Sequence, residues 1–221
     1  KTFAIESRKK LISEITHIAG LLGITNNGIA EPVHKSQDIE MYDIGAKDPY
    51  SINGEQIKQR ASLASKVRAN GFDNVIEEVA YTWFNRIIAI RFMEVNDYLP
   101  TRVRVLSSET EGKVEPDIVT YAPEVDLNFN DKEKEEILQL KHDNKLDEVF
   151  RLLFIKQCNA LNEILPELFE KTNDYTELLL SISFTNEDSI VRKLVGGVEE
   201  ADFKEQVEII GWMYQYYNTE L

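Results

Sequence analysis

Apolar positions along residues 74–100, "NVIEEVAYTWFNRIIAIRFMEVNDYLP", recur at helical spacing on nearly every side of the helical wheel. Ile76, Val79, Ala80, Trp83, Ile87 and Ile90 share one face, while Tyr81, Phe84, Ile88, Phe92 and Val95 fill others. A helix apolar all round is a central, buried one. It is not a membrane span, because Glu77, Glu78, Arg86, Arg91 and Glu94 would be too costly in lipid. Arg91 and Glu94 stand three apart, which predicts a helix-surface pair. Arg86 has no comparable partner in the helix and, if buried, calls for a carboxylate from elsewhere. Arginines that knit helices together are the plainer account of both.

The same periodicity predicts further helices. Ile5, Ile12, Ile15, Ala19 and Leu22 mark one that ends near Gly23, and the apolar positions from Leu146 to Leu165 mark a long one. Tyr175 to Phe184, Ile190 to Val195 and Phe203 to Tyr217 complete the helical pattern. Start signals accompany them: Asn74 with Glu77 and Asn130 with Glu133 have capping-box spacing, and Asn144 with Asp147 and Thr185 with Asp188 are looser versions. Residues 23–57, rich in Gly, Asn, Asp and Pro, predict a long irregular loop. Residues 101–126 alternate in "RVRVL" and "DIVTY" around a polar turn at Gly112, and read as a short β-hairpin over 101–122 or as an extended crossover. The fold class is mainly α, a helical bundle-like domain.

Composition narrows the class. With 221 residues, 43% hydrophobic and 29% charged, the chain buries a true core and is not disordered. Cys158 is the only cysteine, so no internal disulfide forms, which fits a reducing cytoplasm, and its apolar helix context predicts a buried small hydrophobe. The net charge of −14 argues against a free-standing nucleic-acid binder. The charge is uneven, however: residues 58–104 carry 8 basic and 5 acidic side chains, whereas residues 105–221 carry 11 and 26. The basic middle offers Lys66, Arg68, Arg102 and Arg104 as phosphate contacts, against the plainer reading of solvated side chains. Residues 127–221 form an acidic helical half, distinct from the helices, loop and hairpin of 1–126.

Candidate chemistry is sparse. His17, His34 and His142 lie far apart without companion ligands, so no metal site is expected. Gly20, Gly23, Gly196 and Gly197 follow helical sequence and read as helix ends, not nucleotide loops. Asp117 with Gln139 and Lys141 resembles the carboxylate–carboxylate–lysine pattern of metal-dependent nucleases, but Gln139 stands where a second acid must hold the cation. "DPY" (Asp48–Tyr50) resembles the Asn/Asp-Pro-Pro-Tyr motif of amino methyltransferases with one proline missing and no cofactor-binding strand–glycine turn before it. A turn is the simpler account. The aromatic cluster Trp212, Tyr214, Tyr216 and Tyr217 suits base stacking, or packing on a further domain. No catalytic, cofactor-binding or metal residue is predicted.

Three long blocks carry a resemblance: "IEEVAYTWFNRIIAIRFMEVNDYLPTRVRVLSSE" (76–109), "LDEVFRLLFIKQCNALNEILPELFEKTNDYTELLL" (146–180) and "EQVEIIGWMYQYYNTEL" (205–221). They resemble the N-terminal region of the PglX family, the adenine-specific DNA methyltransferases of bacteriophage exclusion (BREX) systems. The resemblance implies a piece of a longer cytoplasmic bacterial protein that moves a methyl group from S-adenosylmethionine to adenine in double-stranded DNA, alongside other BREX proteins. It implies that the cofactor and catalytic motifs lie beyond residue 221, and that this region braces the catalytic domain. The rival expectation is a protein-interaction module that docks other defence components or a phage-encoded DNA mimic.

Overall fold

The computed structural model describes residues 2–170, 174–204 and 207–218. Helices dominate these residues, and the few strands are short and antiparallel, so the fold is mainly α as the periodicity predicted. Contacts divide the chain into two compact units. The first holds Arg8–Trp83 and a returning segment that ends at Ser181; the second holds the residues up to Ser7, those from Phe84 to Glu170, and those from Ile182 onward. The change in composition near residue 126 falls inside the second unit.

In the first unit, helix α1 (Thr2–Leu21, from Arg8 onward) is followed by a turn at Gly23, whose φ is +69°. A Cβ there would stand 3.1 Å from both Ala30 Cβ and Tyr42 Cδ1, so glycine is needed for space as well as for backbone angle. The stretch predicted as an irregular loop instead contains two small antiparallel sheets. Strands β1 (Ile24–Thr25) and β2 (Gly28–Ile29) form a hairpin, and β3 (His34–Lys35), β4 (Ile39–Tyr42) and β5 (Tyr50–Asn53) form a three-stranded sheet in that order. Strands this short show too few alternations for a period of two to be read. On β4 the alternation is present but disguised, because the inward positions are Glu40 and Tyr42. The Tyr42 hydroxyl donates to the Glu40 carboxylate, and Lys35 closes on the same group at 2.9 Å. Burial pushes Glu40 up, but these partners outweigh it and hold the carboxyl below its usual range.

Helix α2 (Glu55–Asn70) was not legible from the apolar pattern, since its buried face is Gln59, Arg60, Leu63, Ala64 and Val67. Arg60 stacks on the Tyr42 ring at 3.8 Å and donates to the carbonyls of Leu22 (2.8 Å) and Ala30 (2.7 Å). One guanidinium therefore fastens α2 to the end of α1 and to the hairpin. Gly71, at φ +85°, closes α2 through its N–H on Val67 O, and α3 (Phe72–Val95) starts at once. Asn74 is thus inside the first turn and donates to Asn70 O at 2.9 Å, so it is not the N-cap its spacing predicted. Glu77 pairs with Arg8 at 2.6 Å instead of closing a capping box. Trp83 donates its indole N–H to Thr176 O at 3.0 Å, in the short helix α7 (Tyr175–Leu178).

The second unit takes the rest of α3, the buried spine the sequence predicted: Phe84, Ile88 and Ile90 have no exposed surface. Each fully buried side chain of this size contributes about 1.5–3 kcal/mol. Phe84 packs on Tyr217 with centroids 4.5 Å apart, at the end of α10 (Glu208–Tyr217). The predicted hairpin over 101–122 is absent. Arg102 has φ +55°, which breaks an extended strand, and Asp117–Tyr121 is a short helix, α4. Helices α5 (Asp131–His142) and α6 (Leu146–Leu161) follow. The capping box of Asn130 and Glu133 forms as predicted, and Glu133 also receives Lys156 of α6 at 2.7 and 2.8 Å. Cys158 is buried on α6, as expected.

Two other start signals were misread. Lys145 is the N-cap of α6, and Asp147 turns to residues 183–185: Ser183 Oγ (2.7 Å), Phe184 N–H (3.0 Å), Thr185 N–H (3.3 Å) and Thr185 Oγ1. The helix predicted over 175–184 stops at Leu178, and residues 183–185 are held on Asp147 in non-helical conformation instead. Helix α8 (Ile190–Gly197) is capped by Ser189, whose side chain accepts from Arg192 N–H, and not by Thr185. The helix predicted over 203–217 is two pieces, α9 (Glu200–Phe203) and α10, and residues 205–206 lie outside the described residues.

Candidate functional site

The second unit contains an open groove of about 730 Å³. Its walls come from the turn at residues 106–114, from α8 and from the first turn of α1, and Arg91 and Glu200 line it as well. Its geometry rests on one buried ion pair. Arg91 and Glu94, one helical turn apart, meet at 2.7 Å with side chains 1% and 0% exposed, so the predicted pair exists but in the interior, not on the surface. Glu94 also accepts from Val105 N–H (2.7 Å), Leu106 N–H (2.8 Å) and Ser107 Oγ (3.0 Å). A carboxylate with four donors is fully satisfied, and it dictates the non-strand path of residues 105–107.

Arg104 lies beside this pair. Both its terminal nitrogens engage the Glu200 carboxylate, and Arg91 Nη2 reaches the same carboxylate at 3.3 Å. The hydrogen bond from Arg104 holds Glu200 below the usual carboxylate range, outweighing its burial, and Glu200 in turn raises Arg104. Nothing in the sequence announced Glu200: it stands 96 residues from Arg104 with no periodic relation to it.

The four predicted phosphate contacts fall into both units. In the first, Lys66 pairs with Glu78 at 3.4 Å and Arg68 is exposed in the last turn of α2. In the second, Arg102 is 72% exposed and pairs with Asp97 at 2.8 Å, whereas Arg104 is occupied by Glu200. Arg86, for which a carboxylate was expected, donates to the Glu170 backbone carbonyl at 2.8 Å.

The nuclease-like residues have structural work. Asp117 accepts from Ser108 Oγ (2.6 Å) and Glu109 N–H (2.9 Å), and Lys141 donates to the carbonyls of Thr120 (3.2 Å) and Ala122 (2.6 Å) at the end of α4. Gln139 bonds Asp143. Among the described residues no group of His, Cys, Asp and Glu is arranged to hold a metal ion. Tyr50 of "DPY" begins β5 opposite Tyr42, and Gly196 and Gly197 end α8. In the aromatic cluster, Tyr217 is buried and Trp212 is 54% exposed. No described helix is long and apolar enough to cross a membrane.

Comparison with known proteins gives the class. The relatives are adenine-specific methyltransferases. In particular, the chain is 47% identical over 239 aligned positions to the adenine-specific methyltransferase PglX of Lacticaseibacillus casei (strain Zhang), covering 100% of this chain and 19% of that protein. It is 40% identical over 165 positions to the adenine-specific methyltransferase BrxX of Escherichia coli O9:H4 (strain HS), covering 74% of this chain and 14% of that protein. No protein-family model matches. The chain matches PglX along its entire length, as the three sequence blocks indicated, and an N-terminal region of PglX fits the match. It spans less than a fifth of the length of either relative.

Proposed function

We propose that this chain is a non-catalytic N-terminal region of a site-specific DNA N6-adenine methyltransferase of a BREX phage-defence system. The match of the whole chain to a region of PglX carries the reading. The structure agrees with an accessory role, since the chemistry-like residues of the sequence are taken up in local hydrogen bonds. S-adenosylmethionine and the flipped adenine would bind elsewhere in the whole protein, and this region would brace that domain. Double-stranded DNA and other BREX proteins are its partners, in the cytoplasm. Lys66, Arg68, Arg102 and Arg104 are the candidates to touch the DNA backbone, contacts that add affinity without reading sequence. Deleting the gene and mapping N6-methyladenine across the genome tests the reading. Loss of methylation at one short asymmetric site supports it, and unchanged methylation at all sites overturns it.

A further inference from the structure

Two guanidinium groups converge on one half-exposed carboxylate at the edge of the groove. Arg91 is 1% exposed; its Nη1 is taken by Glu94 and Ser107, its Nη2 reaches Glu200, and its buried Nε has no hydrogen-bond partner. Arg104, 19% exposed, sets both terminal nitrogens on Glu200, which is 38% exposed, and its Nη1 also reaches Ser107 Oγ at 3.4 Å. Glu94 offsets one of the two positive charges and is itself saturated by backbone and hydroxyl donors. The other positive charge is met by Glu200.

The arginine fork binds carboxylate and phosphate in the same bidentate geometry. The groove also carries in its lining the ammonium groups of Lys113 and Lys193, which pair with Asp117 at 3.7 Å and Asp188 at 3.3 Å, and the hydroxyl of Thr110. Its lining holds four basic residues, Arg91, Lys113, Arg192 and Lys193, and four acidic ones, Glu6, Glu111, Glu187 and Glu200. At the seat itself Arg91 and Arg104 face Glu94 and Glu200, so the charge balances while Glu200 is in place and becomes positive by one when it swings away. Rotation of that single side chain suffices. The short helix α9 that carries it stays anchored by buried Phe203, whose carbonyl accepts from Asn96 at 2.8 Å.

We propose that Arg91, in the groove wall, and Arg104, which meets it at Glu200 on the groove's edge, form an oxyanion seat, that Glu200 occupies it in the free chain, and that a phosphate group displaces Glu200 from Arg104. Glu200 is then an internal stand-in for phosphate that keeps Arg104 from non-specific polyanions. The inference deepens the backbone-contact reading and rests on it only for the source of the phosphate.

The test compares the wild-type chain, Glu200→Gln and Glu200→Gln/Arg104→Gln, with inorganic phosphate and a short fluorescent duplex as separate probes. Glu200→Gln binds the duplex about threefold or more tightly, with a salt slope steeper by about one, and the second substitution removes the gain. A gain for inorganic phosphate alone supports the seat and assigns it to free phosphate, which counts against the DNA-backbone reading separately. No gain for either probe overturns the inference. Titrating the wild-type chain with both probes while following arginine side-chain resonances gives the same answer without a variant. Shifts at Arg104 support displacement, and unmoved resonances up to saturating phosphate and duplex refute it.

Discussion

Arg91 and Glu94 pair at 2.7 Å, one turn apart on α3, with side chains 1% and 0% exposed. The pair sits beneath the turn at 105–107, and its carboxylate accepts from the amides of Val105 and Leu106. Breaking such a pair from one side leaves a buried charge uncompensated. Glu94→Ala is expected to cost about 3–5 kcal/mol in urea unfolding. Arg91→Met with Glu94→Leu should cost less than Glu94→Ala alone. A double variant worse than the single one would contradict this account.

Asp147 gives a pH dependence with a definite sign. Burial pushes its carboxyl up, but the hydroxyls of Thr185 and Ser183 and the amides of Phe184 and Thr185 outweigh it and hold it below the usual aspartate range. The folded value is therefore below the unfolded one, so the contribution is complete above the unfolded value and is lost as pH falls through the folded value. Asp147→Ala should cost about 1–3 kcal/mol at neutral pH. The gap between wild type and variant should close on acidification; a gap constant down to about pH 2 would mean the carboxylate charge is irrelevant.

Gly23→Ala combines a left-handed backbone with two contacts at 3.1 Å. The angle alone costs about 1–2 kcal/mol in an L-residue, and the Tyr42 ring must also give way. Thermal denaturation should fall accordingly. Gly196→Ala, with nothing within 4 Å of its added Cβ, should change little.

The two tryptophans should behave oppositely. Trp83 is buried with its indole N–H bonded, whereas Trp212 is 54% exposed. Acrylamide should quench one class of emission readily, and Trp212→Phe should remove that class while leaving stability within about 0.5 kcal/mol. Loss of the resistant class instead would place the two residues wrongly.

The sequence made α3 and the capping box of α5 plain because each is a local relation. All-round apolarity marks burial, and Asn130 with Glu133 spells a complete cap within four residues. The small sheets of 24–53 and helix α2 escaped because polar residues face inward there: Glu40 and Arg60 satisfy one another's surroundings through Tyr42 and backbone carbonyls. The hairpin expected at 101–122 failed for a related reason, since alternation in "RVRVL" matched a strand while a distant carboxylate, Glu94, claimed the amides. Of the candidate contacts, the exposure of Arg68 and Arg102 was legible, but the engagement of Arg104 was not. Its partner arrives from 96 residues away.

Cys158, the sole thiol of the chain, is 1% exposed on α6. A thiol reagent in native buffer can therefore react only when the packing around α6 opens. Its rate, divided by that of an unfolded peptide thiol, is the equilibrium constant for that opening. The chain thus carries its own gauge of local breathing, read at one atom by mass, with no label introduced and no residue changed.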